Sequence, residues 1–260
     1  MHIVRRFSWS LILLACVLLV SLLSSSAIRA GATPRVLAFY YAWFDANTWT
    51  PSLVSDIPAP TYNSNDPTAI ARHISQAQGA GIDAFVVSWI GTNNPTDWNF
   101  KTMLDQAQRV NFKATIDFEV QHFGSRDAVI GALSYVRDTW MSHPAFFRDN
   151  GKPVIFFWRE QTFSVGDWAA IRAAVDPNHQ QIWIAEGVDI SYQQVFDGHH
   201  LYSIAWSPDP NYTLKDWSGR VRRAGADKLW VATVMPGYDD TRTTRPDRFA
   251  RARDNGNFYR

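Results

Sequence analysis

Glutamate side chains end two of the apolar runs in this sequence, and paired carboxyl groups suggest chemistry on sugars. Glu119 ends the run 113–119, and Glu186 ends the run 181–186. Glycosidases use two carboxyl groups, about 5 to 5.5 Å apart when they retain configuration and about 6.5 to 9.5 Å apart when they invert it. Because these two runs would not be neighbouring strands of a sheet, their ends predict the longer, inverting separation.

Aromatic residues stand at or near the ends of four runs, where flat rings are typical of sugar-binding sites. They are Tyr41, Trp89, Trp158 and Trp206. Such a ring can stack on the CH-rich face of a pyranose and exclude water from it. The alternative for each residue is a place in the core, where large aromatic side chains supply much of the buried area. We predict all four as substrate contacts.

Polar groups for a sugar ligand come from one strand end and one loop. A carboxylate buried at Glu119 requires either hydroxyl hydrogen bonds or a cation, so the alternatives are a sugar and an ion pair with Arg159 or another cation at the rim. The loop after the run 229–235 contains Tyr238, Asp239 and Arg242, and arginine pairs with planar acceptors in a bidentate way. The alternative there is a turn capped by an aspartate that pairs with Arg242. We predict Glu119 and the three loop residues as substrate contacts.

Composition excludes several other kinds of site. The 25 Lys and Arg against 24 Asp and Glu leave a formal charge of +1, which gives no field that would attract a nucleic acid. The seven histidines show no His-Glu-x-x-His spacing, and no Gly-x-Ser-x-Gly elbow occurs. The only cysteine is Cys16, near the N-terminus. We therefore expect no metal, no cofactor and no thiol chemistry.

The elements that would position these residues alternate along the chain between strands and helices. Asp66 and Pro67 predict a helix start, and apolar residues at helical spacing predict further helices over 98–110 and 125–140. Alternation of this kind predicts a parallel α/β sheet, and the absence of a Gly-x-Gly-x-x-Gly loop favours a barrel over a dinucleotide-binding fold. We predict a (β/α)8 TIM-type barrel, incomplete at the C-terminus, with about seven βα units. The predicted strands are 36–41, 84–89, 113–119, 153–158, 181–186, 201–206 and 229–235.

The N-terminus has the pattern of an export signal. Arg5 and Arg6 precede an apolar stretch over 9–23, and small residues follow up to position 32. We predict a signal peptide over 1–32 and a single domain over 33–260, in a protein that is secreted or faces the cell envelope. An uncleaved signal anchor is the alternative, and it would be the only membrane contact.

Five stretches in this order resemble family 99 of the glycoside hydrolases, the endo-α-mannosidase-like family. The resemblance covers about residues 36–259 and implies a (β/α) barrel that cleaves internal α-mannosidic or related linkages with retention of configuration. It also implies a base that acts through the substrate's own 2-hydroxyl group. The stretches are 38–44 (AFYYAWF), 80–89 (AGIDAFVVSW), 143–148 (HPAFFR), 151–154 (GKPV) and 236–242 (PGYDDTR).

The resemblance places the family's catalytic glutamates in a Glu-x-x-Glu arrangement on the last barrel strand, and no position of this sequence matches it. That disfavours Glu119 and Glu186 as the catalytic pair and leaves the catalytic residues unassigned. We expect a chain truncated before the last strand, the alternative being a naturally incomplete relative. The predicted function is an endo-acting glycoside hydrolase on a polysaccharide. Its alternative is a catalytically silent carbohydrate-binding module or polysaccharide-assembly protein.

Overall fold

A computed structural model describes residues 34–259, and a sheet of seven parallel strands forms its centre. The parallel strands follow one another in space as they do in the chain, and a further two-residue strand, the fourth along the chain, pairs antiparallel with the fifth. The predicted signal peptide over 1–32 lies outside the described residues. The strands are β1 (Leu37–Tyr40), β2 (Ala84–Trp89), β3 (Lys113–Glu119), β4 (Arg148–Asp149), β5 (Lys152–Trp158), β6 (Ile182–Glu186), β7 (Gly198–His200) and β8 (Leu229–Val231).

Five helices connect these strands, and each begins at a side chain that accepts a hydrogen bond from the first turn. Three of the helices also carry proline in that turn, where its fixed φ suits the helix and no N–H is missed. The caps are Asp66, Asn94, Ser125, Ser164 and Asp209. The helices are α1 (Pro67–Gly79), α2 (Pro95–Arg109), α3 (Arg126–Thr139), α4 (Val165–Val175) and α5 (Pro210–Ala224). The predicted helix starts at Pro67 and after Ser125 are confirmed, whereas α2 begins three residues before the predicted start at Trp98.

The sheet curves into a half-barrel, which confirms the predicted fold class. Within residues 34–259, β1 and β8 are its two edges, and each pairs with a neighbour on one side. Apolar side chains fill both faces of the sheet, as expected for parallel strands covered by helices. Val87 and Phe157 belong to the cluster between sheet and helices, whereas Val86 and Phe156 belong to the cluster inside the barrel.

The predicted strand over 201–206 is wrong, because the strand in this place is β7 and residues 201–206 form the loop after it. Gly198 opens β7 at a point where the neighbouring strands approach closely. A Cβ at this glycine would stand 2.6 Å from Ile184 Cδ1 and 2.9 Å from Leu229 Cβ. The sequence of this strand is Gly-His-His, which lacks the β-branched, Phe, Tyr and Trp residues that are typical of the other strands. The last predicted strand, 229–235, is shorter than expected and ends at Val231.

A small antiparallel pair follows the parallel sheet. It consists of β9 (Tyr238–Asp239) and β10 (Ala250–Arg251). In the part of the chain that the structure describes, no helix has both the length and the apolar character needed to cross a membrane.

Candidate functional site

The carboxyl ends of the parallel strands meet at one end of the half-barrel, and polar side chains collect there. Ser88 is in register with Asp117, and Glu119 is in register with Trp158 on the next strand. Since side chains alternate along a strand, Asp117 and Glu119 share one face, and the Ser88 hydroxyl donates a hydrogen bond to Glu119 Oε1 from the neighbouring strand. These three residues therefore face the interior of the barrel at its open end.

A cavity of about 700 Å³ lies at the same end, and we call it the mouth pocket. Aromatic and charged side chains from the loops after β5, β6 and β7 form its wall, together with Tyr238 of β9. Its principal lining residues are Trp158, Arg159, Glu186, Tyr202, Trp206 and Tyr238. Four residues that the sequence predicted for the site, Trp158, Trp206, Glu186 and Tyr238, are thus brought together from separate parts of the chain.

Glu119 is a buried carboxyl group beside this pocket. Only 5% of the residue is exposed, and burial raises the pKa of its carboxyl to about 7. His122 Nε2 lies 3.4 Å from Glu119 Oε2, so the imidazole is the nearest basic partner. Arg159, the cation named first in the alternative for Glu119, does not pair with it, because that guanidinium donates instead to Gln121 Oε1 at 2.7 Å. Glu119 can exchange a proton near neutral pH.

Two further buried polar side chains inside the barrel have no hydrogen-bond partner. They are Asp117, through Oδ1, and His200, through both ring nitrogens. Burial, reinforced by the charges of Glu119 and Glu186, holds the pKa of Asp117 well above its usual range. The His200 ring stacks on Phe39 with 5.6 Å between ring centroids, and burial lowers its pKa to about 3. The His200 ring is therefore neutral at pH 7, and Asp117 keeps its proton to a higher pH than an exposed aspartate does.

Tyr41 and Tyr202 link the first strand of the barrel to the mouth pocket. Their hydroxyl groups lie 2.5 Å apart, and burial raises the pKa of each phenol. The Tyr202 ring then contacts Trp158 with 5.5 Å between centroids. Tyr41, which follows β1 in the sequence, is in this way joined to the last residue of β5 and to the loop after β7.

Glu186 and Glu160 place two more carboxyl groups at this end of the barrel, so that all three glutamates of the sequence are found here. Glu160 is only 1% exposed, and its Oε2 accepts a hydrogen bond from the Glu186 backbone N–H at 3.3 Å. Burial and the neighbouring charge of Glu186 raise the pKa of Glu160 to about 8, and burial also raises that of Glu186. Sequence reasoning missed Glu160 because it lies in a short turn after β5 and not at a strand end.

The chain turns sharply between Trp158 and Glu160. Arg159 adopts a left-handed conformation, with φ of 61° and ψ of 41°, which is uncommon for a residue other than glycine. Its guanidinium lies 5.4 Å from the centroid of the Trp158 ring, within the range of a cation–π contact. This turn directs Trp158 and Arg159 into the mouth pocket and sends Glu160 below it.

The structure corrects the prediction for Trp89. The indole is fully buried between the sheet and the helices, and its Nε1 donates to Asp97 Oδ1 at 3.0 Å. The Tyr135 ring stacks above it at 6.3 Å, and the Phe118 ring contacts it at 5.6 Å. Trp89 has no exposed face for a sugar and belongs to the core.

Asp239 and Arg242 lie outside the mouth pocket and line a separate groove of about 500 Å³ with Trp49 and Tyr62. Asp239 Oδ1 accepts from the Thr241 backbone N–H at 2.9 Å, as predicted for an aspartate that caps a turn. Arg242 donates to the Val54 carbonyl at 3.2 Å and does not pair with an aspartate of its own loop. The structure does not bring these two residues to Glu119 and Glu186.

No group of three or more His, Cys, Asp or Glu side chains within residues 34–259 is arranged to hold a metal ion. The carboxyl groups around the mouth pocket are fully or partly buried, and they accept hydrogen bonds from hydroxyl and backbone N–H groups.

Comparison with known proteins places this arrangement in context. The family model described as glycosyl hydrolase family 99 matches residues 54–260. A solved endo-α-mannosidase of that family from Bacteroides thetaiotaomicron has a TM-score of 0.73 and 27% sequence identity, covering 86% of this chain and 78% of that one. A glycoside hydrolase-like protein shares the fold alone, with a TM-score of 0.65 and 13% identity over 90% of this chain and 81% of its own.

Two mammalian proteins are also similar in sequence. The glycoprotein endo-α-1,2-mannosidase-like protein of Mus musculus is 25% identical over 85% of this chain and 62% of its own length. The glycoprotein endo-α-1,2-mannosidase of Rattus norvegicus is 24% identical over 86% of this chain and 61% of its own length. The chain spans about three fifths of the length of these relatives.

Proposed function

Because this chain belongs to glycosyl hydrolase family 99, we propose that it binds a polysaccharide at the mouth pocket and serves in the hydrolysis of internal α-mannosidic or related linkages. The single observation that carries the proposal is the convergence of Trp158, Trp206, Tyr202 and Glu186 on one cavity at the carboxyl ends of the strands. In (β/α) barrels this end of the sheet carries the ligand site. The names of the similar proteins support α-linked mannose as the sugar to test first.

The chemistry of the mouth pocket suits a sugar. Half of Trp206 is exposed, and its Nε1 donates to the Ser203 carbonyl at 2.8 Å, so the ring is held in place with a face free to stack. Burying the apolar face of a pyranose on such a ring is favourable, and each sugar hydroxyl then needs a polar partner. Glu186 and Arg159 provide an acceptor and a donor on the same wall. Glu119 provides a further carboxyl group beside the pocket.

Glu119 and Glu186 can also hold and release protons. A general acid or base works best when its pKa lies near the working pH, and the pKa of Glu119 is about 7. Burial raises the pKa of both carboxyl groups, so each holds its proton to a higher pH than an exposed glutamate does. The resemblance, however, implies a Glu-x-x-Glu pair as the catalytic residues. We therefore propose Glu119 and Glu186 as sugar-binding groups first and as catalytic groups only if they prove sufficient.

A second function, carbohydrate binding without cleavage, is favoured by a specific observation. The sequence holds three glutamates, at positions 119, 160 and 186, and no two of them are three residues apart. A chain that binds polysaccharide through Trp158, Trp206 and Glu186 but lacks the implied pair would bind and not hydrolyse. Binding and turnover must for this reason be measured separately.

The test is to add the purified protein to soluble α-mannan, following binding by titration calorimetry and cleavage by the release of reducing ends. We expect Trp206→Ala, Glu186→Gln and Glu119→Gln each to weaken binding by about tenfold or more, since each removes a stacking face or a hydroxyl partner. Asp127→Asn is the matched control, because its side chain is 89% exposed on α3. Wild-type protein that neither binds nor cleaves α-mannan contradicts the proposal.

We also propose that the protein is exported, on the basis of Arg5, Arg6 and the apolar stretch over 9–23. Expression of the full chain in a bacterium, followed by mass measurement of the protein from the periplasm and the medium, tests this. Loss of about the first 32 residues is expected. Recovery of an unprocessed chain from the cytoplasm alone contradicts it.

A further inference from the structure

Three tryptophans among the described residues expose more than two fifths of their surface, although tryptophan is usually well buried. They are Trp43 at 44%, Trp98 at 59% and Trp206 at 51%. All three follow a strand of the parallel sheet: Trp43 lies after β1, Trp98 in the first turn of α2 after β2, and Trp206 after β7. All three therefore lie on loops or helix starts at the same open end of the barrel.

Trp43 is connected to the mouth pocket through Tyr41, by one ring contact and one contact between hydroxyl groups. Its ring lies 5.0 Å from that of Tyr41, measured between centroids. The Tyr41 hydroxyl then contacts that of Tyr202, a lining residue of the mouth pocket. A ligand that leaves the pocket past Tyr202 would thus meet Tyr41 and then the exposed Trp43.

The segments that carry Trp98 and Trp43 are joined by a hydrogen bond. Asn99 Nδ2 donates to the Ala42 carbonyl at 2.8 Å, and this buried hydrogen bond ties the first turn of α2 to the loop after β1. Each of the two tryptophans is the chain neighbour of one partner in that bond. The Phe44 ring also contacts the Trp43 ring, with 6.2 Å between centroids. The backbone under both exposed indoles is in this way fixed.

An exposed indole held on a fixed backbone has its apolar face in water, which suits a ligand with flat apolar faces and polar edges. The next sugar units of a polysaccharide have this chemistry, because each pyranose combines a CH-rich face with hydroxyl edges. Tyr41 contacts both Trp43 and Tyr202 of the mouth pocket, so a chain that occupies the pocket can extend towards Trp43.

We propose that Trp43 and Trp98 form a second sugar-stacking surface, the rim platform, which binds units of the polysaccharide beyond those in the mouth pocket. The preferred ligand is then a chain of several sugars and not a short oligosaccharide. This inference rests on the proposed function, because it takes a glycan as the ligand of the mouth pocket.

The experiment compares two probes, α-1,2-linked mannobiose and soluble α-mannan, for the wild-type protein, Trp43→Ala, Trp98→Ala and Trp43→Phe. Loss of the rim platform should weaken α-mannan binding by about tenfold and leave mannobiose binding within about twofold. The Trp43→Phe variant keeps a flat ring and should recover most of the affinity. Val110→Ala, an exposed apolar position beyond the far end of α2, is the control and should bind both probes as the wild type does.

The outcomes separate this inference from the proposed function. Wild-type binding of α-mannan tests the mouth pocket. If the wild type binds neither mannobiose nor α-mannan, the proposed function is overturned, and the rim platform with it. Normal wild-type binding with unchanged affinity in Trp43→Ala and Trp98→Ala overturns only the rim platform. Equal losses for mannobiose and α-mannan also overturn it, because the two tryptophans would then serve the mouth pocket itself. Thermal unfolding of each variant verifies that affinity is compared between folded proteins.

Discussion

Replacing Glu160 by glutamine should change how the stability of this protein depends on pH. Glu160 is 1% exposed and has no cationic partner among the contacts of its carboxyl group; its Oε2 accepts from the Glu186 backbone N–H. Burial, together with the charge of Glu186, raises its pKa from 4.5 to about 8. The glutamine of Glu160→Gln keeps the shape and the acceptor oxygen but cannot ionise. The substitution therefore removes the titration and preserves the contact.

The size of the effect follows from the two pKa values. Between pH 4.5 and pH 8 the folded protein keeps a proton on Glu160 that the unfolded chain has lost, so the free energy of unfolding falls as pH rises. The slope from this residue is about 1.4 kcal/mol per pH unit, and the full loss approaches about 5 kcal/mol above pH 8. Below pH 4.5 Glu160 is protonated in both the folded and the unfolded protein, so it no longer lowers the free energy of unfolding. The free energy of unfolding of Glu160→Gln, relative to that of the wild type, should therefore rise by about 2 to 3 kcal/mol from pH 5 to pH 7.

Urea unfolding of wild type and Glu160→Gln at pH 5, 6, 7 and 8 measures this difference. Asp117, Glu119 and Glu186 also have raised pKa values and make the wild type less stable at high pH, but they are present in both proteins and largely cancel. Asp127→Asn, at an exposed site, should show no comparable gain with pH. A constant difference between Glu160→Gln and wild type across this range would refute the reasoning, because it would mean that Glu160 is ionised in the folded protein.

Three further substitutions test the packing. Trp89→Ala should lower the free energy of unfolding by about 3 to 5 kcal/mol in thermal or urea unfolding, because the indole belongs to the core. The affinity of the folded variant for α-mannan should be unchanged. A stable variant with weakened binding would show that Trp89 contacts the sugar. Gly198→Ala should destabilise by about 1 to 3 kcal/mol, since the added methyl would overlap Leu229, and a stability equal to wild type would contradict that close approach. Ser164→Ala should lower the free energy of unfolding by about 1 kcal/mol, because it removes the capping box with Asp167 at the start of α4. An unchanged midpoint in urea unfolding would contradict this.

The order and type of the main elements could be read from the sequence because local rules are sufficient for them. Asp66 followed by Pro67 signals a helix start whatever the rest of the chain does, and Ser125 does the same for α3. Strands β2 and β3 are long and largely buried, and their predicted bounds agree with the observed ones. Strand β7 was misplaced because its identity depends on neighbours: Gly198 is required by Ile184 and Leu229, which are distant in sequence.

Trp89 and Trp158 show most clearly what the sequence left open. Each is the last residue of a strand, yet Trp89 is buried against the helices and Trp158 lines the mouth pocket. Both faces of a parallel sheet are apolar, so the period-two pattern that would reveal the direction of a side chain is absent. The direction is fixed by register: Ser88 pairs with Asp117, which turns Trp89 outward, whereas Trp158 pairs with Glu119 and turns inward.

The sequence alone predicted glutamates and aromatic residues near the ends of strands, and four of these predicted residues, Trp158, Glu186, Trp206 and Tyr238, line one cavity. Only the tertiary structure decided which side chains share a cavity, since that depends on strand register and on how loops after different strands fold over one another. It separated Asp239 and Arg242 from the pocket, and it buried Glu160 beneath Glu186. Helix caps and apolar periodicity are encoded within a few residues, whereas a binding site is assembled from contacts between residues far apart in the chain.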